Sequence, residues 1–520
     1  MIKSFRRGLF LSLLIFLLPG VSCQTQSFPG LGAPVPDGTT SLISQDQEWF
    51  KDSVFYHVWI KAFADSNGDG IGDIPGLTGK LDYLSQDLGI TALWLSPHMT
   101  NASTLPNLHG YDVTDHYSVD PRFGTNDQMK TFLQEAHKRG IRVIFDLVPN
   151  HVSDKHPWFQ EALADQNGKR SWFKFRDSRP ATGWTGFDRT SDWHRGTGGS
   201  YYYGIFWKGM PDLNYRNPEV RKEIAQVARF WLDMGFDGLR IDAVRYLFEN
   251  EESSGAKDDT TDLPETISFF QDFRKQVIDP YTSLHYPKMM VAENWTDNKA
   301  GLKSYLGTLE NPSFQMTFDF PSVRMITQKA EDPTNYDLDD WWQDFSTKLS
   351  VGWMGTFLSN HDNVISRPAT RYEGDKNLQR SAAALQLTGP GTPFIYYGNE
   401  IGMEGEAGND INLRTDFEWD RLEQEQKDRE SLFHSYSALI SLRKSQPALS
   451  RGDFSIVPTA EEALFAFTRQ WKNQTLLVIH NLSQDAVSPD SILQAKAIQK
   501  QIFGKPGFLP SKDVGVWLLK

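Results

Sequence analysis

Cysteine is all but missing: Cys23 is the only one in 520 residues, so no intramolecular disulfide can form and the fold must rest on packing. Positive charge is scarce as well. The formal net charge is −13 and no Lys/Arg cluster occurs beyond Lys3, Arg6 and Arg7, which argues against nucleic acid as a partner, because binding a phosphate backbone needs cations to displace its counterions. Long apolar runs are also lacking. The run at residues 9–18 is too short to span a bilayer comfortably as a permanent helix. No internal repeat or low-complexity tract stands out.

Thirty-nine per cent of the residues are hydrophobic, enough in a chain of this length for one large barrel with smaller units around it. The basic start followed by the short apolar run has the form of an export signal over residues 1–22. Cys23 stands directly after Gly20-Val21-Ser22, a placement that resembles a bacterial lipoprotein signal, in which the cysteine becomes the lipidated first residue and anchors the protein to a membrane. Gly20-x-Ser22 also fits ordinary signal-peptidase cleavage. Either route delivers the protein outside the cytoplasm. Residues 23–45, rich in Gly, Pro, Ser and Thr, read as a flexible linker.

From residue 46 to 446 the chain alternates β-branched or aromatic runs with helical stretches. Eight runs, at 54–60, 90–95, 142–148, 238–241, 288–292, 314–318, 355–358 and 393–397, predict an α/β fold, a closed (β/α)8 TIM barrel. The stretch of about 150–214, between the third run and the fourth, is too long for a plain loop and reads as an inserted subdomain beside the active-site face. Its Trp172, Trp184, Trp193, Tyr201, Tyr202, Tyr203 and Trp207 either line outer binding subsites or form its core. Alternating strands after the last helix predict a C-terminal antiparallel β domain over 447–520, sandwich-like in outline.

Acids fall at the strand ends, where barrel enzymes keep their chemistry. Asp146 opens Asp146-Leu147-Val148-Pro149-Asn150-His151, Asp242 ends Gly238-Leu239-Arg240-Ile241-Asp242, Glu293 ends Met289-Met290-Val291-Ala292-Glu293, and Asp362 closes Phe357-Leu358-Ser359-Asn360-His361-Asp362. A single acid there is usually a cap or half of an ion pair; a retaining glycosidase needs two carboxyls facing one sugar. These four segments, in this order, resemble the four signature regions of the α-amylase family, glycoside hydrolase family thirteen. The resemblance implies Asp242 as nucleophile with Arg240 holding it ionised, Glu293 as acid/base, and Asp362 as the acid that grips substrate hydroxyls and favours the distorted transition state. It also implies that His151, His361 and Tyr111, the last in His109-Gly110-Tyr111-Asp112, contact the sugar in the cleaving subsite.

Met210-Pro211-Asp212-Leu213-Asn214 resembles the extra signature of a group intermediate between oligo-1,6-glucosidases and neopullulanases. Ala243 stands where α-1,6-specific relatives tend to carry valine, and Leu108 where exo-acting α-glucosidases tend to carry an aspartate that anchors a terminal glucose. The expectation is an endo-acting α-amylase on starch-like α-glucans and maltooligosaccharides, against an α-glucosidase or 4-α-glucanotransferase of the same fold. A non-catalytic starch-binding protein should have lost one of the three acids, and all are present. Asp65, Asn67, Asp69, Ile71 (by its carbonyl) and Asp73 place oxygens at alternate positions as an EF-hand loop does, without the terminal glutamate, and resemble the family's calcium loop. Another calcium, which many α-amylases hold through a histidine four residues past the nucleophile, meets Tyr246 here. Arg367, five residues past Asp362, remains without an assigned role.

Overall fold

The structure, a computed structural model, describes residues 31, 33–35, 46–180, 187, 191–196, 198–250, 260–348, 352–362 and 364–520. The export signal, Cys23, most of the linker and Trp184 lie outside the described residues. Among the described residues no helix is long and apolar enough to cross a membrane.

Eight short parallel strands close a barrel: β1 (Phe55–Val58), β2 (Ala92–Leu95), β3 (Arg142–Leu147), β4 (Gly238–Ile241), β5 (Met289–Ala292), β6 (Met316–Phe318), β7 (Trp353–Phe357) and β8 (Thr392–Tyr396), with β8 pairing back onto β1. Nearly every residue of these strands is buried, because one face meets the surrounding helices and the other fills the barrel, so they read as continuous apolar runs. Alternate residues point inward. Phe55, Trp94, Ile144, Val291, Phe318 and Phe394 pack into one central cluster, with the Phe55 and Phe394 rings stacked at 4.3 Å. The outer layer begins where local chemistry starts each helix. Thr125 and Gln128 form a capping box at the head of Asn126–Lys138, and Asn217 caps Pro218–Met234, whose first residue is the proline suited to that position.

The stretch between β3 and β4 carries a helix, Pro157–Leu163, and a small antiparallel sheet built from Phe175–Arg176, Trp193–Arg195 and Tyr201–Tyr203. Trp172, Trp193, Tyr202 and Tyr203 are buried there as its core, whereas Trp207 is 40% exposed. The C-terminal strands β9 (Asp453–Val457), β10 (Leu464–Trp471), β11 (Gln474–Asn481), β12 (Ile498–Phe503) and β13 (Val514–Leu519) form one antiparallel sheet in the order β9-β10-β11-β13-β12, not a sandwich. One face, with Phe454, Phe465, Phe467 and Val478, joins the main core. The other, with Leu477, Ile479 and Trp517, is covered by Ile492 and Leu509 from its own connections, so a second sheet is not needed to bury it.

Candidate active site

Strand parity carries the acids to one place. Inward positions alternate, so Ile144 is followed by Asp146, Gly238 by Arg240 and Asp242, and Val291 by Glu293. Parallel register then sets Asp146 beside Arg240 and Arg240 beside Val291. Asp242 and Glu293 lie one step higher, their backbone amides donating to Leu147 and Ile241.

Arg240, 1% exposed, is the hub of this layer. One terminal nitrogen reaches Asp146 Oδ1 and Asp242 Oδ1, both at 2.6 Å, and the other reaches Glu293 Oε1 at 2.5 Å. Asp242 and Glu293 are thus held on one guanidinium, two carboxyls facing the same space. Burial raises Asp242 above the ordinary carboxylate range, and Arg240 is the main force against that rise, so the guanidinium is what permits an anion here. Burial pushes Glu293 up to about 7 against the same guanidinium, so at neutral pH a proton is available to give and a site to take it back. Asp362 also rises to about 7, by burial first and by the Glu293 charge second. Ala243, next to Asp242, has a left-handed backbone with φ of 50°, and its amide donates to Glu293 Oε2 at 2.9 Å.

Tyr111 comes from the loop of an antiparallel hairpin, Met99–Asn101 with Val113–Val119, that follows β2. Gly110 before it has φ of +83°, and a Cβ there would come within 2.9 Å of Pro97, so the turn that aims Tyr111 requires glycine. The Tyr111 hydroxyl donates to Asp146 Oδ2 at 3.1 Å and lies 2.6 Å from His361 Nε2. His361 Nε2 is in turn 3.3 Å from Asp362 Oδ1. Burial keeps both histidines neutral, His151 down to about 3 and His361 well below its ordinary value. Asp242, Glu293, Asp362, Tyr111 and His151 open together into one cavity of about 530 Å³, while Asp146 and Arg240 form the layer beneath.

The sequence profile described as "Alpha amylase, catalytic domain" matches residues 57–452, about three-quarters of the chain. The chain belongs to the α-amylase family. It is a glycoside hydrolase of that family, with the family's barrel and C-terminal sheet. Alpha-amylase 3 of Dictyoglomus thermophilum is 32% identical over 476 residues, spanning 86% of this chain and 87% of that protein. Probable oligo-1,6-glucosidase 2 of Bacillus subtilis is 31% identical over 519 residues, spanning 84% and 91%. The crystal structure of the alpha-amylase from H. orenii superposes with a TM-score of 0.76 at 30% identity, covering 90% of this chain and all of that one.

Several residues of this α-amylase-family site carry no motif signal. Arg414, from the segment after β8, stacks over Trp59 at 4.6 Å and donates to the His361 carbonyl at 3.1 Å, to Asn107 Oδ1 at 3.1 Å and to Asp410 at 3.0 Å. It therefore fixes the histidine from behind. Trp59 stands two positions past His57, just after β1, so strand parity would aim it inward. Arg367 is fully buried and donates to the Tyr397 and Leu413 carbonyls, so it braces the barrel rim and does not touch the cavity. Tyr246 packs edge-on against Phe187 and Phe206, giving an apolar contact at the position of the family's second calcium histidine.

The loop 65–73 lies past β1, apart from the acids. Asp65 accepts amides from Asn67, Gly68 and Gly70, Asn67 from Asp69, and Asp69 from Ile71, which turns the loop back on its own oxygens. Those amides hold the Asp65 carboxyl below its usual range. The donors are hard oxygens with no sulfur or imidazole among them, a set that suits calcium. Asp73 is engaged otherwise, accepting from Ser66 and from Gly76 as the cap of helix Ile74–Gly79. Among the described residues no group of three or more His, Cys, Asp or Glu side chains converges as a metal site.

Proposed function

We propose that this chain is an endo-acting α-amylase that hydrolyses α-1,4-glucosidic bonds in starch-like glucans and maltooligosaccharides with retention. Asp242 attacks the anomeric carbon, Glu293 protonates the leaving oxygen and then deprotonates water, and Asp362 with Tyr111, His151 and His361 holds the sugar distorted. The observation that carries the reading is the donor end of the cleft. Leu108, at the place of the exo-type aspartate, is buried at 3% exposure, and its neighbour Asn107 is tied to Arg414. No carboxylate at that position grips a terminal glucose. Ala243 supports α-1,4 cleavage, since α-1,6-specific relatives tend to carry valine at that position.

Digestion of maltoheptaose, starch and pullulan with early product analysis tests the proposal. Mixed short maltooligosaccharides from the first minutes are expected. Glucose and maltohexaose as the only early products from maltoheptaose would make it an α-glucosidase, longer chains a 4-α-glucanotransferase, and cleavage of isomaltose an α-1,6 enzyme.

Calcium belongs to the same reading, held by Asp65, Asn67, Asp69 and the Ile71 carbonyl, with Asp73 in the position that commonly reaches the ion through water. It would stabilise the loop. The proposal also keeps the protein outside the cytoplasm, attached to a membrane through a lipidated Cys23 or, failing that, secreted or periplasmic. Mass spectrometry of the mature N-terminus separates those fates.

A further inference from the structure

The lining of the cleft combines two chemistries. Around the sugar that Asp242 would attack, the wall is polar: Tyr111, His151, Asp362 and Arg414. Beside the proton donor the lining is aromatic. Two residues past Glu293 stands Trp295, and three past Ala243, whose amide holds Glu293, stands Tyr246. Both line the cavity, together with Phe187, Phe206, Trp207 and Val364.

Phe206 and Tyr246 rest on the small core of the inserted unit, and Phe187, Trp207 and Val364 stand exposed beyond them. Phe187 and Phe206 stack at 4.9 Å and 10°, with Tyr246 edge-on to both at 5.5 and 5.8 Å. Phe187 is 59% exposed, Val364 51% and Trp207 40%. The Trp207 ring lies so close over Gly209 that a Cβ there would meet it at 2.4 Å, so the backbone holds the ring in place. Exposed aromatics at the edge of a polar cavity are what a flat apolar ligand group needs.

The leaving group departs, and the second nucleophile arrives, on the side of Glu293. We propose that the enzyme transfers glucosyl units to glucosides bearing a flat apolar aglycone, which this aromatic wall binds in preference to plain sugars. The inference rests on the retaining reading above and extends it to the acceptor. In the second step Glu293 takes the proton of an acceptor hydroxyl, that oxygen bonds to the anomeric carbon, and the bond to Asp242 breaks. Asp242 returns as a carboxylate and Glu293 as the acid, with the acceptor as the only added reactant.

The test uses α-glucosyl fluoride as donor, which loads the site whatever the natural linkage preference. Phenyl β-glucoside and methyl β-glucoside at equal concentration serve as acceptors that the enzyme does not itself cleave, differing only in the aglycone. Transfer product from the phenyl acceptor is expected at least about tenfold above that from the methyl one. The ratio should fall towards one in Phe187→Ser and in Trp207→Ser, with the folded state of each variant checked by its melting temperature. Equal transfer to both acceptors in the unmodified enzyme overturns the proposal, as does a ratio that neither substitution changes. Fluoride release without maltoheptaose cleavage would overturn the linkage reading and leave this one standing.

Discussion

Replacing Arg240 by Met should cost both stability and activity, in proportions that change with pH. The side chain is buried and in contact with Asp146, Asp242 and Glu293, so its loss leaves three carboxyls with no cation among them. Breaking a buried pair by removing one partner typically costs about 3–5 kcal/mol while the other stays charged. Taking about 2.1 cal/mol/K of unfolding entropy per residue over a barrel of about 400 residues, that is a fall of about 4–6 °C in melting temperature. The sign with pH follows from linkage. Burial already raises these carboxyls in the native state, and without Arg240 they rise further above their unfolded values near 4. A raised acid costs nothing below its unfolded pKa and its full penalty only above its folded pKa, so the variant's deficit should be small at pH 4.5 and largest near pH 8. Differential scanning calorimetry at both pH values measures it, and fluoride release from α-maltosyl fluoride reports activity. The reasoning fails if the deficit is equal at the two pH values, or if the variant keeps within about tenfold of normal turnover at pH 7.

Asp242→Asn should lower turnover by several orders of magnitude while leaving starch affinity and melting temperature largely intact; near-normal turnover would remove it from the nucleophile's role. Because Glu293 must hold a proton in the first step and titrates at about 7, kcat/KM on maltooligosaccharides should fall above pH 7. That alkaline limb should weaken with α-maltosyl fluoride, whose leaving group needs little protonation, and Glu293→Gln should keep part of its first step on the fluoride only. An identical limb with both substrates would count against the assignment. Treatment with EDTA should lower the melting temperature and added calcium should restore it in a concentration-dependent way. No change, with no calcium found by elemental analysis of the untreated protein, would leave the loop 65–73 as a turn.

Local sequence carried the barrel because each strand, buried on both faces, announces itself as a short β-branched or aromatic run between helices. The eight runs lie over the eight strands, and the period of two along β3, β4 and β5 was enough to aim Asp146, Asp242 and Glu293 at the same interior. The C-terminal unit was legible as antiparallel strands, but not as a single sheet, since which surface covers its second face depends on Ile492 and Leu509 folding back over it. Arg240 was readable as a partner of Asp242, two residues away on the same strand. Its contacts to Asp146 and Glu293 depend on the register between neighbouring strands, which no single run encodes. Arg414, Asn107 and Asp410 meet around His361 from loops about 300 residues apart in the chain, and the aromatic wall joins Phe187, Tyr246, Trp295 and Val364 from four different strand-to-helix connections. Periodicity constrains only neighbours along one element. Loop side chains with no period find their partners only when the barrel closes and brings its rim together, so the acids were written in the sequence and their surroundings were decided by the fold.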